Sequence, residues 1–301
     1  MSNVLGSVAT GLIIQEALAL VFTQRPILKK ISTNFRDLDG SVDKVQKGQS
    51  VTSRLFGIPA VSNFGSAAAD RADTDVAVTL SNFKQVLHSF TAAEISSTSR
   101  DLVRESALPI AIAIANHMVD AIAALWIAGN FANSTIQASG WNYNTLTLAK
   151  QNLNGRGAPD MGNRFFACSA AVYKSMLDDT TIVAALNNPA NGNAIESGRL
   201  PTVASFGIME YPGIPTTGNM VAFAGNTDST VLACRPPRDP AELLPGVQFP
   251  GNVAYITDPT TGLTVRLDEW IGTDLTANVR VSWIYGVAAG SVTNGQIIKT
   301  A

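Results

Sequence analysis

The sequence predicts an α+β protein with about two domains. Its 301 residues are enough for two domains of roughly 150 residues each. Apolar residues recur at helical spacing over 99–127, which predicts one long helix, and they alternate over 279–287, which is typical of a strand with one buried face. From Asn144 onwards the pattern predicts a compact unit of helices and strands.

The chain carries few charges. Charged residues make up 15% of the sequence, where soluble domains have about 25%, and the formal net charge is −2. This balance argues against a protein whose main task is to coat nucleic acid or an anionic membrane. A large surface with few charges favours extensive contacts between subunits, because the centres of such contacts are depleted in charged residues. A hydrophobic monomer is the alternative.

The N-terminal segment predicts an amphipathic arm. Apolar residues recur at helical spacing over 10–25 and Pro26 interrupts this helix. A second short helical turn over 26–31 carries Lys29 and Lys30.

Residues 48–75 contain too few apolar residues to form a core of their own. Short strand-like pieces are followed by a charged patch of Asp70, Arg71, Asp73 and Asp75. Ordering the backbone costs about 1–2 kcal/mol per residue, which an isolated hairpin in water does not recover. The segment must therefore lie on another surface.

Strand-like alternation over 76–80 continues to Phe90, and Thr91 then predicts the N-cap of a short helix over 92–96. The long helix over 99–127, which we call the spine helix, is apolar around most of its circumference and should be covered on several sides. Pro109 either kinks it or marks its start.

A membrane span is not expected in this part of the chain. The longest apolar stretch, 108–128, contains Asn116, His117 and Asp120, and such polar groups are rare at the centre of a bilayer.

The α/β unit is expected to begin with a helix over 146–153, an Asn154–Gly155 turn and a strand over 164–168. Ser169 should cap the helix that follows. Further strands are predicted over 205–211, 220–223, 263–267 and 279–287.

Motifs for catalysis are absent from the sequence: it has no G-x-S-x-G, phosphate-binding loop, H-E-x-x-H or dinucleotide fingerprint. Cys168 and Cys234 have no metal-like spacing with His88 or His117, so we expect two buried thiols and no metal or cofactor. His117 with Asp120 could form a general base with an orienting carboxylate, but a hydrogen-bonded structural histidine is the better interpretation.

Several stretches resemble the major capsid proteins of tailed bacteriophages. Residues 198–200 and 206–215 are similar to that family's pattern G-x-L-x-G-F-x-V and the loop after it. Residues 220–223 and 231–236 are similar to its segment F-x-x-x-A-x-x-L-A-x-R-P.

The order of elements extends this resemblance to nearly the whole chain. Residues 258–263 and 283–287 resemble the family's closing strands, especially those of the Salmonella-type podophage branch. The resemblance implies the Hong Kong 97-type capsid fold. Its implied parts are an N-terminal arm (1–32), an extended loop (48–75), a peripheral domain (33–47, 76–143 and 257–301) and an axial domain (144–256).

The resemblance also implies a function. The chain is expected to self-assemble as hexamers and pentamers into an icosahedral shell around double-stranded DNA, with the arm and the loop overlapping adjacent subunits. The expected intersubunit residues are Arg54, Phe56, Asp70, Arg71, Asp73 and Asp75 on the loop, and Arg25, Lys29 and Lys30 on the arm.

The implied partners are a portal protein, a separate scaffolding protein, a decoration protein and packaged DNA, which the modest excess of basic residues over 25–54 would contact without sequence specificity. The implied location is the virion, with assembly in the host cytoplasm and no membrane. Some family members join subunits by an isopeptide bond from a loop lysine, but no lysine occurs between Lys47 and Lys84, so no such crosslink is expected.

Two alternatives remain. An encapsulin shares the fold but encloses cargo enzymes, and the nucleic acid content of native particles separates the two. An α/β enzyme that uses His117 and Asp120 would be a small discrete particle.

Overall fold

The computed structural model describes residues 7–24, 26–29, 31, 49–57, 59, 61, 63–65, 73–98, 101–131, 134–137, 141–160, 162–182, 200, 202–239, 251–258 and 261–300. The helices are α1 (Ser7–Gln24), α2 (Pro26–Lys29), α3 (Ala92–Ser97), α4 (Leu102–Ala123), α5 (Tyr143–Gly155) and α6 (Ala170–Asp178). The strands are β1 (Ser50–Leu55), β2 (Thr74–Thr79), β3 (Asn82–Phe90), β4 (Ser134–Gln137), β5 (Phe165–Cys168), β6 (Thr202–Val203), β7 (Phe206–Glu210), β8 (Met220–Gly225), β9 (Thr230–Arg235), β10 (Gly251–Thr257), β11 (Thr264–Ile271), β12 (Ala277–Ala289) and β13 (Gly295–Thr300).

The described strands form three sheets. β1 and β2 make an antiparallel hairpin. The five-stranded sheet has the order β10-β11-β12-β3, and β9 pairs with the part of β12 that extends beyond β11. The six-stranded sheet has the order β4-β13-β8-β5-β7-β6, in which β13 is parallel to β4 and β5 is parallel to β7.

The spine helix is α4, which begins at Leu102 rather than near Ser99 and ends at Ala123 rather than at Ile127. Asp101 is its N-cap, because the Asp101 carboxylate accepts a hydrogen bond from the Arg104 amide at 3.1 Å. Pro109 lies inside the helix and does not mark its start. Ten residues of the helix are buried, and it packs against α1 and against β3 and β12 of the five-stranded sheet. The expectation that it is covered on several sides is confirmed.

The N-terminal helix α1 packs on its own chain. Ile14, Leu18 and Val21 are buried in the core that α4 also enters, and α1 contacts both α4 and β10. The Gln15 side-chain amide donates a hydrogen bond to the Thr257 carbonyl oxygen at 3.1 Å. The spine helix of the same chain therefore buries the apolar face of the arm, and the expected overlap of the arm with adjacent subunits stays a prediction.

A second core lies between the six-stranded sheet and the helices α5 and α6. Leu146, Leu153 and Met176 from the helices are buried with Phe166 and Phe206 from the strands. The helices and strands predicted for this part of the chain are present, with ends shifted by a few residues.

One local prediction in this unit was wrong, and another was confirmed only in part. Asn154 and Gly155 belong to α5 rather than to a turn, because the left-handed residue that ends the helix is Gly157, with a φ of 75°. Ser169 occupies the N-cap position of α6, but its side chain makes no capping hydrogen bond.

Strand pairing couples the segments expected to form the peripheral and axial domains. β9 and most of β10 fall within 144–256 but pair with β12 and β11 of the five-stranded sheet. β4 and β13 fall outside that range but belong to the six-stranded sheet. The division of the chain into these domains stays a prediction.

An aromatic cluster joins the segment that follows the spine helix to the six-stranded sheet. The rings of Trp126 and Phe223 stack with their centroids 4.7 Å apart, and Phe131 meets Phe223 edge to face at 5.0 Å. Phe165 completes the cluster, and all of these side chains are fully buried. The two sheets therefore share a continuous core.

Candidate assembly surfaces

The extended loop starts and ends in the hairpin of β1 and β2. Ser50 pairs with Thr79 and Leu55 pairs with Thr74, so the two strands are in register along their whole length. Every second residue of β1, including Val51 and Leu55, is buried. This face packs on β9 and β12, so the base of the loop lies on its own chain.

Close contact between the hairpin and β12 requires a glycine. A Cβ atom at Gly286 would lie 2.2 Å from the Thr79 carbonyl oxygen and 3.0 Å from Val78 Cγ1. Val78 is buried in one cluster with Val231 and Ile284, from the two strands that support it. Sequence analysis missed this contact, although a glycine inside an alternating strand is a signal of close backbone approach.

Three of the predicted intersubunit residues form hydrogen bonds to other residues of the same loop. Arg54 forms a two-point ion pair with Asp75, with Nε–Oδ1 at 2.7 Å and Nη2–Oδ2 at 2.9 Å, which raises the pKa of Arg54. Asp73 accepts a hydrogen bond from the Gly57 amide at 3.0 Å. These bonds fix the hairpin at the point where the loop leaves it. A role of these residues in contacts between subunits stays a prediction.

Beyond the ion pair, the loop exposes large apolar side chains. Phe56, which is among the predicted contact residues, is 61% exposed, and Val61 and Phe64 are fully exposed. We call residues 56–65 the loop tip. Three large exposed apolar side chains within ten residues make this segment a candidate interaction surface.

Other predicted contact residues lie outside the described residues, namely Arg25, Lys30, Asp70 and Arg71. Lys29 is the last residue of α2, and its side chain is also outside the described part. On the outer side of α1, Leu12 and Leu20 are about half exposed. That outer side, rather than the buried one, is the part of the arm that a neighbour could contact.

The polar groups of His117 and Asp120 are bound by tyrosine hydroxyls. Tyr285 Oη lies 2.8 Å from His117 Nε2, and the Tyr211 hydroxyl donates to the Asp120 carboxylate. Burial, and secondly the charge of Lys84, lower the pKa of His117 below its ordinary value. The expected hydrogen bonding of His117 is confirmed, and its structural rather than catalytic role stays a prediction. The two tyrosines connect the spine helix to β12 and to the loop after β7.

The described residues contain no group of three or more His, Cys, Asp or Glu side chains that could hold a metal ion. Cys168 and Cys234 are free and buried, as expected. Burial raises the pKa of each thiol to about 12, so neither is a thiolate at neutral pH.

Helix α4 is long and apolar enough to cross a membrane by length and composition alone, and 56% of its most apolar window is buried inside the protein. A core helix passes the same test, so its hydropathy is explained by the packing described above.

Comparison with solved structures shows that the chain has the fold of a phage capsid subunit. The capsid structure of cyanophage P-SCSP1u matches 85% of this chain and 85% of its own, with a TM-score of 0.54 at 11% identity. A Mycobacterium phage Che8 structure matches 84% of this chain and 85% of its own, with a TM-score of 0.52 at 14% identity. The mature capsid of bacteriophage PhiM1 matches 84% and 82%, with a TM-score of 0.51 at 12% identity.

No protein-family model and no curated protein matches the chain. The mixture of helices and sheets and the structural matches confirm the predicted α+β, Hong Kong 97-type capsid fold. The likeness to the Salmonella-type podophage branch stays a prediction.

Proposed function

We propose that this protein is the major capsid protein of a tailed bacteriophage, which self-assembles into the icosahedral shell around a double-stranded DNA genome. The observation that carries the proposal is the capsid-subunit fold, which extends over 84–85% of the chain. The proposed role is mechanical, and no residue is assigned a catalytic step.

The loop tip supports a shell of overlapping subunits. Its Val61 and Phe64 side chains are fully exposed, and the exposure of such apolar groups to water is unfavourable. A neighbouring subunit that covers them would gain the hydrophobic free energy that the single chain forgoes. The low charge of the whole sequence agrees with a surface that is largely used for contacts.

The hairpin base supports the same proposal in another way. Because Leu55 and Val78 hold the base on β9 and β12, and the Arg54–Asp75 pair closes its end, the tip leaves the subunit from a fixed point. A contact segment that is already ordered at its root loses less conformational entropy on binding. The fixed root of the loop therefore suits a contact with a neighbouring subunit.

The proposal includes partners beyond the shell itself. Hexamers and pentamers of this chain would enclose the DNA, one vertex would hold a portal protein, and assembly in the host cytoplasm would use a separate scaffolding protein. The last proposed partner is a decoration protein on the outer surface of the shell. A net charge of −2 agrees with loose, sequence-independent contact to packaged DNA rather than tight binding.

The test is a variant in which residues 57–72 are replaced by Asn-Gly, a two-residue turn that favours hairpin closure. It keeps β1, β2 and the Arg54–Asp75 pair, so the subunit should remain soluble and as stable as the wild type. We expect it to form no closed particles by sedimentation velocity and negative-stain microscopy. A matched variant, Val61→Ser with Phe64→Ser, keeps the loop length and should assemble poorly. Normal shells from the Asn-Gly variant would contradict the proposal.

Native particles separate this proposal from the encapsulin alternative, because the proposed shell should contain double-stranded DNA and a cargo compartment should contain enzyme. Denaturing gels of the same particles should resolve single subunits, since the loop carries no lysine for an isopeptide bond. A covalent ladder would show that another crosslink exists.

A further inference from the structure

The turn between β11 and β12 holds two large apolar side chains in solvent. Ile271 is 72% exposed and Leu275 is 69% exposed. Hydrogen bonds from the Gly272 amide to Thr276 O at 2.8 Å and from the Leu275 amide to Gly272 O at 3.1 Å close the turn. We call residues 271–275 the hairpin tip.

Leucine at position 275 is unfavourable for the isolated chain. Its φ is 58°, in the left-handed region that β-carbon sterics make costly for a bulky residue. Its side chain gains little burial in return, because it is mostly exposed. Asparagine or glycine would adopt this left-handed φ more readily and would expose no large apolar side chain to solvent. A strained residue with an exposed apolar side chain is typical of a functional surface.

A cavity of about 330 Å³ lies between β3 and the first turns of α4. Its wall is apolar and includes Val86, Phe90, Leu102 and Ile110. His88 and Glu105 also line it and are exposed, so the cavity opens at the surface beside them. Leu275 of the same chain does not fill this space, since its side chain stands in solvent.

The hairpin tip and the cavity lie at the same end of the five-stranded sheet. Ala277, the first residue of β12, pairs with Phe90, which lines the cavity. The extended loop is attached at the other end, where Gly286 meets Thr79. At about 3.3 Å per residue, that point is about 30 Å along the strand from Ala277.

We propose that Leu275 of one subunit inserts into this cavity of a second copy of the chain. The inference rests on the proposed function, because it assigns one of the contacts between shell subunits. A projection and a cavity at different places on one surface make a heterologous contact, which closes into a ring when a rotation axis relates the copies. Since both features lie at one end of the sheet, an axis beside that end places each hairpin tip against the next cavity.

The direct test uses two variants that each add one cysteine, Leu275→Cys and His88→Cys, which are purified separately, mixed, assembled and oxidised. A disulfide between positions 275 and 88 can then form only between two chains. Cys168 and Cys234 are buried with pKa values raised to about 12, so they should not form disulfide bonds in this test. We expect covalent dimers in the mixture and none when either variant is assembled alone.

Two further mixtures with His88→Cys define the outcome. Val292→Cys serves as the matched control, because Val292 is an exposed apolar residue in another turn, 43% exposed, and should give no dimer. Phe64→Cys tests the loop tip as the occupant of the cavity. Dimers with Phe64→Cys and none with Leu275→Cys would overturn the proposal.

A second variant separates assembly from folding. Leu275→Asn removes the apolar side chain and relieves the backbone, so the isolated subunit should unfold at an equal or higher denaturant concentration. We expect the protein concentration that it needs to form closed particles to rise about tenfold or more, as the loss of one buried leucine per contact implies. Leu275→Met keeps an apolar side chain and should assemble normally.

Unchanged assembly of Leu275→Asn would overturn the hairpin contact and leave the shell function standing. If the wild-type protein forms no closed particle, the proposed function fails instead. The cysteine mixture still tests the contact in whatever oligomer the protein forms.

Discussion

The N-terminal helix and the loop tip both carry apolar side chains that have no core of their own, yet their situations in the folded chain are opposite. Helix α1 places Ile14 and Leu18 against the spine helix, where each is 1% exposed. The loop tip leaves Val61 and Phe64 in solvent. One segment is covered by its own chain, and the other is the segment for which we propose cover by a second molecule.

The difference follows from what lies within reach of each segment. The α1 helix runs alongside the long helix α4, which has ten buried residues, so the buried stripe of α1 meets a large apolar surface. Among the described residues of the loop, those packed on the rest of the chain belong to its root, the β1–β2 pair that lies on β9 and β12. An apolar sequence pattern thus indicates that the side chains must be buried. The topology of the fold determines whether the same chain buries them.

The largest expected effect lies in the arm. Leu18→Ala should lower the free energy of unfolding of the isolated subunit by about 2–5 kcal/mol, because it opens a cavity beside the spine helix. Leu12→Ala, on the half-exposed side of the same helix, should change it by less than about 0.5 kcal/mol. Urea unfolding followed by circular dichroism measures both. Equal effects from the two variants would show that the arm does not pack on its own chain in solution.

The root of the loop should show the next largest effect. Gly286→Ala places a methyl group 2.2 Å from the Thr79 carbonyl oxygen, so β12 and the hairpin must separate, which costs about 1–3 kcal/mol. Hydrogen exchange should become faster in β1 and β2 while the six-stranded sheet stays protected. Gly129→Ala is the control, since a Cβ atom at Gly129 meets nothing within 4 Å. Unchanged exchange in the hairpin would exclude this close contact.

A smaller effect is expected from pH at the spine helix, the surface on which the arm rests. Burial lowers the pKa of His117, so the unfolded chain binds a proton there more readily than the folded chain does. The stability that neutral His117 contributes is therefore complete above its unfolded pKa of about 6.5, and is lost as the pH falls through the folded pKa.

Urea unfolding at pH 7.5 and at pH 5.5 should show this loss in the wild type, with a smaller loss in His117→Gln. Tyr285→Phe keeps the histidine but removes its hydrogen bond, and should cost about 1 kcal/mol at pH 7.5. An identical pH dependence in the wild type and in His117→Gln would mean that other groups cause it.

Local patterns made much of the fold predictable. Thr91 predicts its helix because residue type and spacing define the cap: its hydroxyl accepts from the Glu94 amide at 3.2 Å, and the Glu94 carboxylate accepts from the Thr91 amide at 2.8 Å. The spine helix and the strand β12 were equally readable, since their periodicity extends over many residues.

Long-range pairing was not predictable in the same way. β13 lies between β4 and β8, and β9 pairs with β12, although nothing in these short segments specifies such distant partners. The packing of the extended loop on β12 depends on the pairing of β9 with β12. The left-handed φ of Leu275 also has no local signal, because the turn sequence around it lacks asparagine or glycine at that position. Tertiary contacts determine these features. Most of the candidate assembly surfaces are among the features determined in this way.

The loop tip should show the smallest effect on the single chain and the clearest effect on the particle. Phe64→Ala should change the free energy of unfolding of the isolated subunit by less than about 0.5 kcal/mol, because the ring contacts solvent. In the shell the same ring should be buried, so the variant should need a higher protein concentration to assemble, as light scattering would measure. Phe131→Ala provides the contrast, since that fully buried ring should cost about 3–5 kcal/mol before assembly begins. If Phe64→Ala destabilised the isolated subunit, the ring would already have a partner in its own chain, and the distinction between arm and loop would disappear.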